Sequence, residues 1–408
     1  MTLTYRDTTR ALSDSPIIDA FGRLRVSNPT DRFNSQFEYN ALPLLWETVL
    51  VAGGTATHLP NESAVRLRVT TVSGDKVTRQ SRRYIRYQPG KSQFIVMTGV
   101  LGATKTNVRR RIGYFDDENG YFFQQIGANI EIVHREFTTG SVDDHRFAQS
   151  TWNLDTMDGN GPSGVTLDFT FSQIFVVDLE WLGVGRIRYG FNIAGVITYC
   201  HEMNHANDLP TPHTTTANLP LRYEIENTGT AASNSDLLQI CQTVISEGGF
   251  SDESGLIGSA SNGITSISVT TRRPILSIRP KATFNSITNR GEVIPLGVSV
   301  FAGAQNVFWE LVYDGTLTGA SYASTNANSI VERDIAATAI SGGIVIASGF
   351  VAAGGAGGKG GGEKANITSK LVLGSNIAGD TFVPLSLVAT AFTSTATVHG
   401  ELSWKELY

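Results

Sequence analysis

Apolar and polar residues alternate with a period of two along much of this chain. Val65, Leu67 and Val69 alternate with Arg66, Arg68 and Thr70, and residues 130–137 alternate apolar side chains with Glu131 and His134. This period predicts strands half-buried on one face. Residues 82–101, RRYIRYQPGKSQFIVMTGVL, read as two strands joined by a turn at Gln88-Pro89-Gly90-Lys91. Proline presets φ there, and glycine accepts the conformation a Cβ would forbid. Residues 108–115 and 121–126 flank Asp116-Asp117-Glu118-Asn119-Gly120, whose Asn-Gly step is a strong hairpin signal. Residues 149–164 read as an exposed loop tied down at Trp152 and Met157.

Short strands with turn chemistry between them predict an all-β protein with two β-sandwich, jelly-roll-like domains and an extended N-terminal arm. The expected divisions are an arm over 1–50, a first sandwich over 51–250 and a second over 263–408. A glycine-rich loop is expected at 354–362 within the second. The arm has too few apolar residues for a core of its own. Its segment DAFGRLRVS, residues 19–27, is expected to lie on a neighbouring subunit or another protein. Phe21, Arg23, Leu24, Arg25 and Val26 are the expected interface residues.

Composition narrows the function classes. The chain has 408 residues, 42 of them glycine, and a formal charge of −5, which does not favour a nucleic-acid partner. Cys200 and Cys241 are too few for a disulfide scaffold. The N-terminus lacks the basic start and apolar stretch of a signal peptide. No run approaches the ~20 apolar residues of a spanning helix. Folding in the cytoplasm without membrane insertion is the expectation.

Few constellations carry chemistry. His201 and His205 match H-E-x-x-H, which on a helix would hold zinc with Glu202 as general base. The residues before them carry a strand pattern, and Pro210 follows closely, so no catalytic zinc is expected there. An incidental site with His213 is a weaker alternative. Asp116/Asp117 and Asp143/Asp144 are carboxylate pairs of the type a glycosidase needs. The acidic run at 116–120 lacks the full calcium-loop spacing and reads as a solvated hairpin tip. Arginines 79, 82, 83, 86 and 109–111, beside Tyr84 and Tyr87, suit cross-strand pairs as well as they suit nucleic acid. No cofactor is expected.

Several segments resemble structural proteins of tailed-bacteriophage virions: DAFGRLRVS, RRYIRYQPG, LPLRYEIE at 219–226 and PILSIRPKATFNSITNR at 274–290. ELVYDGTLTGASY, VERDIAATAISGG and a tryptophan-acid pattern near Trp404 extend the likeness along the chain, in order. The resemblance implies a non-enzymatic virion component, assembled in the host cytoplasm as a homo-oligomer with other virion proteins. A trimer is the leading expectation. It leaves open tail, neck and fibre. The alternatives are a fibre binding a receptor or host surface glycan, a capsid decoration protein and, last, a polysaccharide-cleaving tailspike.

Overall fold

The computed structural model describes residues 15–249, 251, 255–353, 361–367 and 372–408. The protein is all-β. Among the described residues the only helical turns are the 3-10 turns Pro60–Glu62 and Gln149–Thr151. The chain divides into two units, Met1–Phe250 and Ser251–Tyr408.

Unit 1 is a sandwich of two antiparallel sheets. In the first, the strands run in the order Val196–Met203, Ile187–Ile193, Gln173–Leu179, Ser92–Val100, Ser235–Glu247, Ala64–Val69 and Thr55–Leu59. Thr30–Gln36 pairs with the far half of Ser235–Glu247. In the second, the order is Asp143–Ala148, Asn129–Glu136, Gly120–Gly127, Lys105–Phe115, Leu221–Asn227, Lys76–Ser81 and Trp46–Val51. Alternation sets the inner faces. Ile112, Tyr114, Tyr121, Phe123, Ile132 and Tyr223 of the second sheet meet Ile95, Met97, Phe175, Tyr189 and Phe191 of the first. Phe123 lies 5.1 Å from both Phe175 and Phe191, ring centre to ring centre. Each such side chain contributes about 1.5–3 kcal/mol by leaving water.

Unit 2 is a second sandwich. One sheet orders Leu256–Ser261, Ala396–Leu407, Glu292–Gly303 and Gly361–Asn366; the other orders Ala323–Ser324, Val331–Asp334, Arg273–Pro280, Leu385–Ala391, Val307–Tyr313 and Ile344–Val351. Trp309 and Trp404 lie in the core between them. The buried indole N–H of Trp404 donates to Glu406 Oε1 at 2.7 Å, which satisfies a polar atom that burial would otherwise strand.

The fold corrects four expectations. Residues 30–51 are not an arm: Thr30–Gln36 and Trp46–Val51 are strands of unit 1, and Phe33, Phe37 and Trp46 belong to its core. These aromatics are spaced too widely in sequence to look like a core, and become one only beside Tyr223, 6.2 Å from Trp46. Residues 82–91 are not half of a hairpin. They cross from Lys76–Ser81 in one sheet to Ser92–Val100 in the other, with one isolated β-bridge, Ile85–Leu219. The turn itself forms, with Gly90 at φ +84 and Lys91 N–H donating to the Gln88 carbonyl. Leu256–Ser261, outside both expected sandwiches, is a strand on Ala396–Leu407. Gly361–Asn366 pairs with Glu292–Gly303, so the end of the expected glycine loop is strand; residues 354–360 lie outside the described residues.

Deleting residues 1–43 removes Phe33 and Phe37 from the core. Truncating a buried Phe costs about 3–5 kcal/mol. At about 2–4 °C per kcal/mol for a unit of this size, the expected result is a large fall in the melting temperature of unit 1. A thermal melt unchanged by the deletion would show that these residues are dispensable to the sandwich.

Candidate functional site

Two features of unit 1 concentrate chemistry. The first is the face of the second sheet turned away from the main core. Pairing places Glu224 beside Thr78 and Arg111, Arg111 beside Gln124, and Gln124 beside Glu131. The register becomes a chain of contacts. Lys76 Nζ reaches Glu224 at 2.9 Å and Arg111 Nη1 reaches it at 3.2 Å. Arg111 Nε donates to Gln124 Oε1 at 2.8 Å, and Gln124 Nε2 donates to Glu131 Oε2 at 2.8 Å. One row over, buried Arg222 bonds Gln80 and Asp117 and lies over the Phe115 ring. Phe115, Phe122 and Val133 form a small apolar floor, with Arg111 and Arg135 over Phe122.

Lys76, Arg111 and Arg222 together outweigh burial and hold the Glu224 carboxyl down at about 2. A glycosidase acid needs the opposite, a carboxyl raised toward neutrality. The expected carboxylate pairs do not face each other as donors to a substrate either. Asp116 accepts the N–H groups of Glu118 and Asn119 within its turn, and Asp117 pairs with Arg222. Asp144 pairs with Arg135 at 2.7 Å, and Asp143 lies at the surface near His145.

The second feature is a cluster of imidazoles. His134 lies on the inner face of Asn129–Glu136, two residues from core Ile132, and His145 is its direct partner on Asp143–Ala148. His205 and His213 arrive from the segment between Val196–Met203 and Leu221–Asn227. The His205 and His213 rings stack at 4.3 Å; His134 lies 5.2 Å from His213, 5.5 Å from His205 and 5.7 Å from His145. His134 Nε2 and His213 Nδ1 are 3.4 Å apart, and Tyr121 Oη is 3.3 Å from the same His213 nitrogen. His205 Nδ1 faces the Gly185 carbonyl at 3.2 Å. Burial, then the neighbouring imidazoles, push His134 down to about 3 and His213 to about 2. At neutral pH both rings are uncharged.

The segment bearing His205 and His213 is held at its far end by Asn119, whose Nδ2 donates to Thr215 Oγ1 at 2.7 Å and whose Oδ1 accepts the Thr215 N–H. Asn119 is therefore buried, and the acidic hairpin tip is docked at this point instead of being solvated throughout.

The H-E-x-x-H residues separate. His201 is on the strand Val196–Met203, its ring 4.5 Å from Phe147 and its Nδ1 accepting the Asn153 N–H. Burial lowers its pKa to about 4. His205 lies beyond the strand in the imidazole cluster. No helix puts the two on one face, so the H-E-x-x-H geometry of a zinc hydrolase does not form. The ring partners of His205 are His213, eight positions on and already singled out beside it in the sequence, and His134 in a different strand, which sequence reading missed.

The expected interface residues fold back on unit 1. Asp19 bonds the Arg23 N–H and its guanidinium, both at distances near 2.8 Å. Arg25 pairs with buried Asp178 and, at 2.9 Å, with Glu247. Arg25 is thus an ion-pair partner within unit 1. Phe21 lies under the Arg23 guanidinium, while Leu24 and Val26 are exposed, at 58% and 84%. Phe21 is only half-buried and also keeps part of its surface in solvent. Both cysteines are free thiols.

No protein-family model matches the sequence, and no curated protein sequence matches it. Solved structures are similar over about half of the chain. A glycosyl hydrolase family protein from Mycobacterium fortuitum is 10% identical with a TM-score of 0.36, over 53% of this chain and 99% of its own. The legume lectin-like domain from Entamoeba histolytica is 7% identical with a TM-score of 0.32, over 53% of this chain and 97% of its own. The receptor binding domain of botulinum neurotoxin D is 13% identical with a TM-score of 0.34, over 53% of this chain and 49% of its own. At such TM-scores these likenesses carry no argument about a site or an activity.

Proposed function

We propose that this protein is a non-enzymatic structural component of a tailed-phage virion, part of the tail, neck or fibre apparatus, acting through interfaces between copies of itself. The virion context rests on the resemblance of its segments. The observation that carries the assembly role is the end of the second sheet of unit 2. Among the described residues Ile344–Val351, IVIASGFV, is the edge strand, with no charge and no proline. Ile344, Val345 and Phe350 are 41%, 47% and 69% exposed. The Phe350 ring lies 5.1 Å from Phe308 and meets half-exposed Phe392 edge-on at 5.9 Å. Soluble proteins guard such edges with charge, proline or a covering segment. An uncharged edge imposes no charge repulsion on contact with another copy.

Phe350→Asp is the test. An exposed substitution leaves stability within about 0.5 kcal/mol, so the melting temperature should stay put. Sedimentation equilibrium should show the wild-type oligomer, expected to be a trimer, turning into monomer, and the variant should be missing from purified particles. A monomeric wild type, or a variant that still oligomerises and enters particles at normal copy number, would refute the role.

A further inference from the structure

The imidazole cluster plays no part in an assembly role. It pins one stretch of chain: residues 206–212 are all exposed, while His205 and His213 at their two ends are buried. Pro210 and Pro212 carry no N–H with which to tie that stretch down otherwise. The cluster has room for uncharged rings only. In a charged imidazole both nitrogens are donors. His134 Nε2 and His213 Nδ1 face each other at 3.4 Å, a contact that needs one of the two bare. The other nitrogen of His213, Nε2, is buried and meets no acceptor among the described residues, so an N–H there is stranded. The His205 and His213 rings are nearly parallel at 4.3 Å, which sets any two charges face to face. We propose that His134, His205 and His213 form an acid-sensitive latch, which holds residues 204–213 against the strand Asn129–Glu136 while the rings are neutral and releases them when the rings take up protons.

The surroundings do little to offset charge on the two deeper rings. From Gly120–Gly127, the Tyr121 ring stacks on His134 at 5.6 Å and its hydroxyl lies 3.3 Å from His213 Nδ1. From Asp143–Ala148, His145 lies 5.7 Å from His134 and adds like charge when protonated. Glu136 and Asp208 favour charge on His205, and Glu136 is shared with His145 at 3.3 Å. The Gly185 carbonyl faces His205 Nδ1 at 3.2 Å. Beyond His213 the chain stays tied, because Asn119 holds Thr215 and Trp181 Nε1 donates to Thr214 Oγ1 at 2.8 Å. Opening is therefore local. It breaks the bond from the His213 N–H to the Gly183 carbonyl and frees the stretch before it.

A histidine pKa lowered by the fold makes opening the proton-binding step. Burial holds His134 near 3 and His213 near 2 in the closed latch, and water returns each to about 6.5. Above about 6.5 neither state is charged and the latch keeps its full strength. Each pH unit below that favours opening about 10-fold per ring, hence about 100-fold for His134 and His213 together. His205, also lowered by burial, adds in the same direction. The span from about 6.5 to 4.5 lies above the range in which Glu224 takes up its proton.

The test follows hydrogen exchange of the full-length protein between pH 7.5 and 4.5, each rate divided by that of the free peptide at the same pH. The reporters are the amides of Asp208, Leu209 and His213, all hydrogen-bonded in the closed latch. Their protection should fall by up to about 100-fold per pH unit below 6.5, while that of Lys105–Phe115 holds. His213→Phe keeps a flat ring against His205 but takes no proton, and should reduce the slope by about 10-fold per unit. His201→Gln removes a buried histidine outside the latch and should leave the slope unchanged. Equal protection at pH 7.5 and 4.5 overturns the proposal, as does a slope that survives His213→Phe. A slope that falls equally in His201→Gln marks general acid unfolding and also overturns it. Should His213→Phe not fold, His134→Gln and the wild-type imidazole ring signals decide. A slope unchanged in His134→Gln, or rings of the cluster that titrate near 6.5 while the three amides stay protected, overturns the latch.

Discussion

Glu224→Gln is expected to destabilise unit 1 by about 3–5 kcal/mol, the usual cost of removing one member of a buried charge network. The carboxylate is almost wholly buried, and Lys76, Arg111 and Arg222 converge on it. The amide keeps the shape but leaves three cations facing one another without their counter-ion. Urea unfolding of unit 1 measures the loss. The pH dependence gives an independent check. Glu224 ionises in the fold with a pKa near 2, against an ordinary glutamate value of about 4.3 in the unfolded chain. A depressed carboxyl stabilises fully above the unfolded value. Its contribution fades as pH falls from about 4.5 toward 2, because the unfolded chain takes up the proton first. At about 1.4 kcal/mol per unit, the wild type should lose about 3 kcal/mol over that window from this group, and Glu224→Gln should not. Parallel acid profiles for the two proteins would refute the assignment.

Asp178→Asn should also cost about 3–5 kcal/mol, and it should free the N-terminal segment. Asp178 is fully buried on Gln173–Leu179, where it accepts from Arg188, Arg25, Ser92 and Tyr199. Arg188, itself fully buried, also donates to the Ile18 carbonyl at 2.8 Å. One carboxylate therefore joins four strands of one sheet to residues 18–25. Arg25→Ala separates these roles. It leaves the Asp178–Arg188 pair in place and should cost less than Asp178→Asn, yet still release the segment. Limited trypsin digestion followed by mass spectrometry should show faster cleavage at Arg23 in both variants. Unchanged protection at Arg23 in both would show that other contacts hold the segment down.

The sequence by itself determined the class of fold. A period of two is a property of each strand alone, so Val65, Leu67 and Val69 announce an inner face before any partner is known. The Asn119-Gly120 step likewise determined a hairpin, since the turn geometry belongs to the residues in it, and Trp152 and Met157 marked where their loop is buried. Tertiary structure decided what depends on which strands become neighbours. Phe33, Phe37 and Trp46 look like scattered aromatics in a polar arm until Thr30–Gln36 pairs with Ser235–Glu247 across two hundred residues. Arg25 looks like interface chemistry until Asp178 and Glu247 come to meet it. Glu224 is an ordinary strand glutamate in sequence, and becomes a held anion only because register sets Arg111 opposite it. The histidines show the same limit. His201 and His205 are close in sequence and fit a motif, but a strand end sends them into different surroundings. His134, His205 and His213 meet because separate elements bring them together, and no local spacing encodes that meeting.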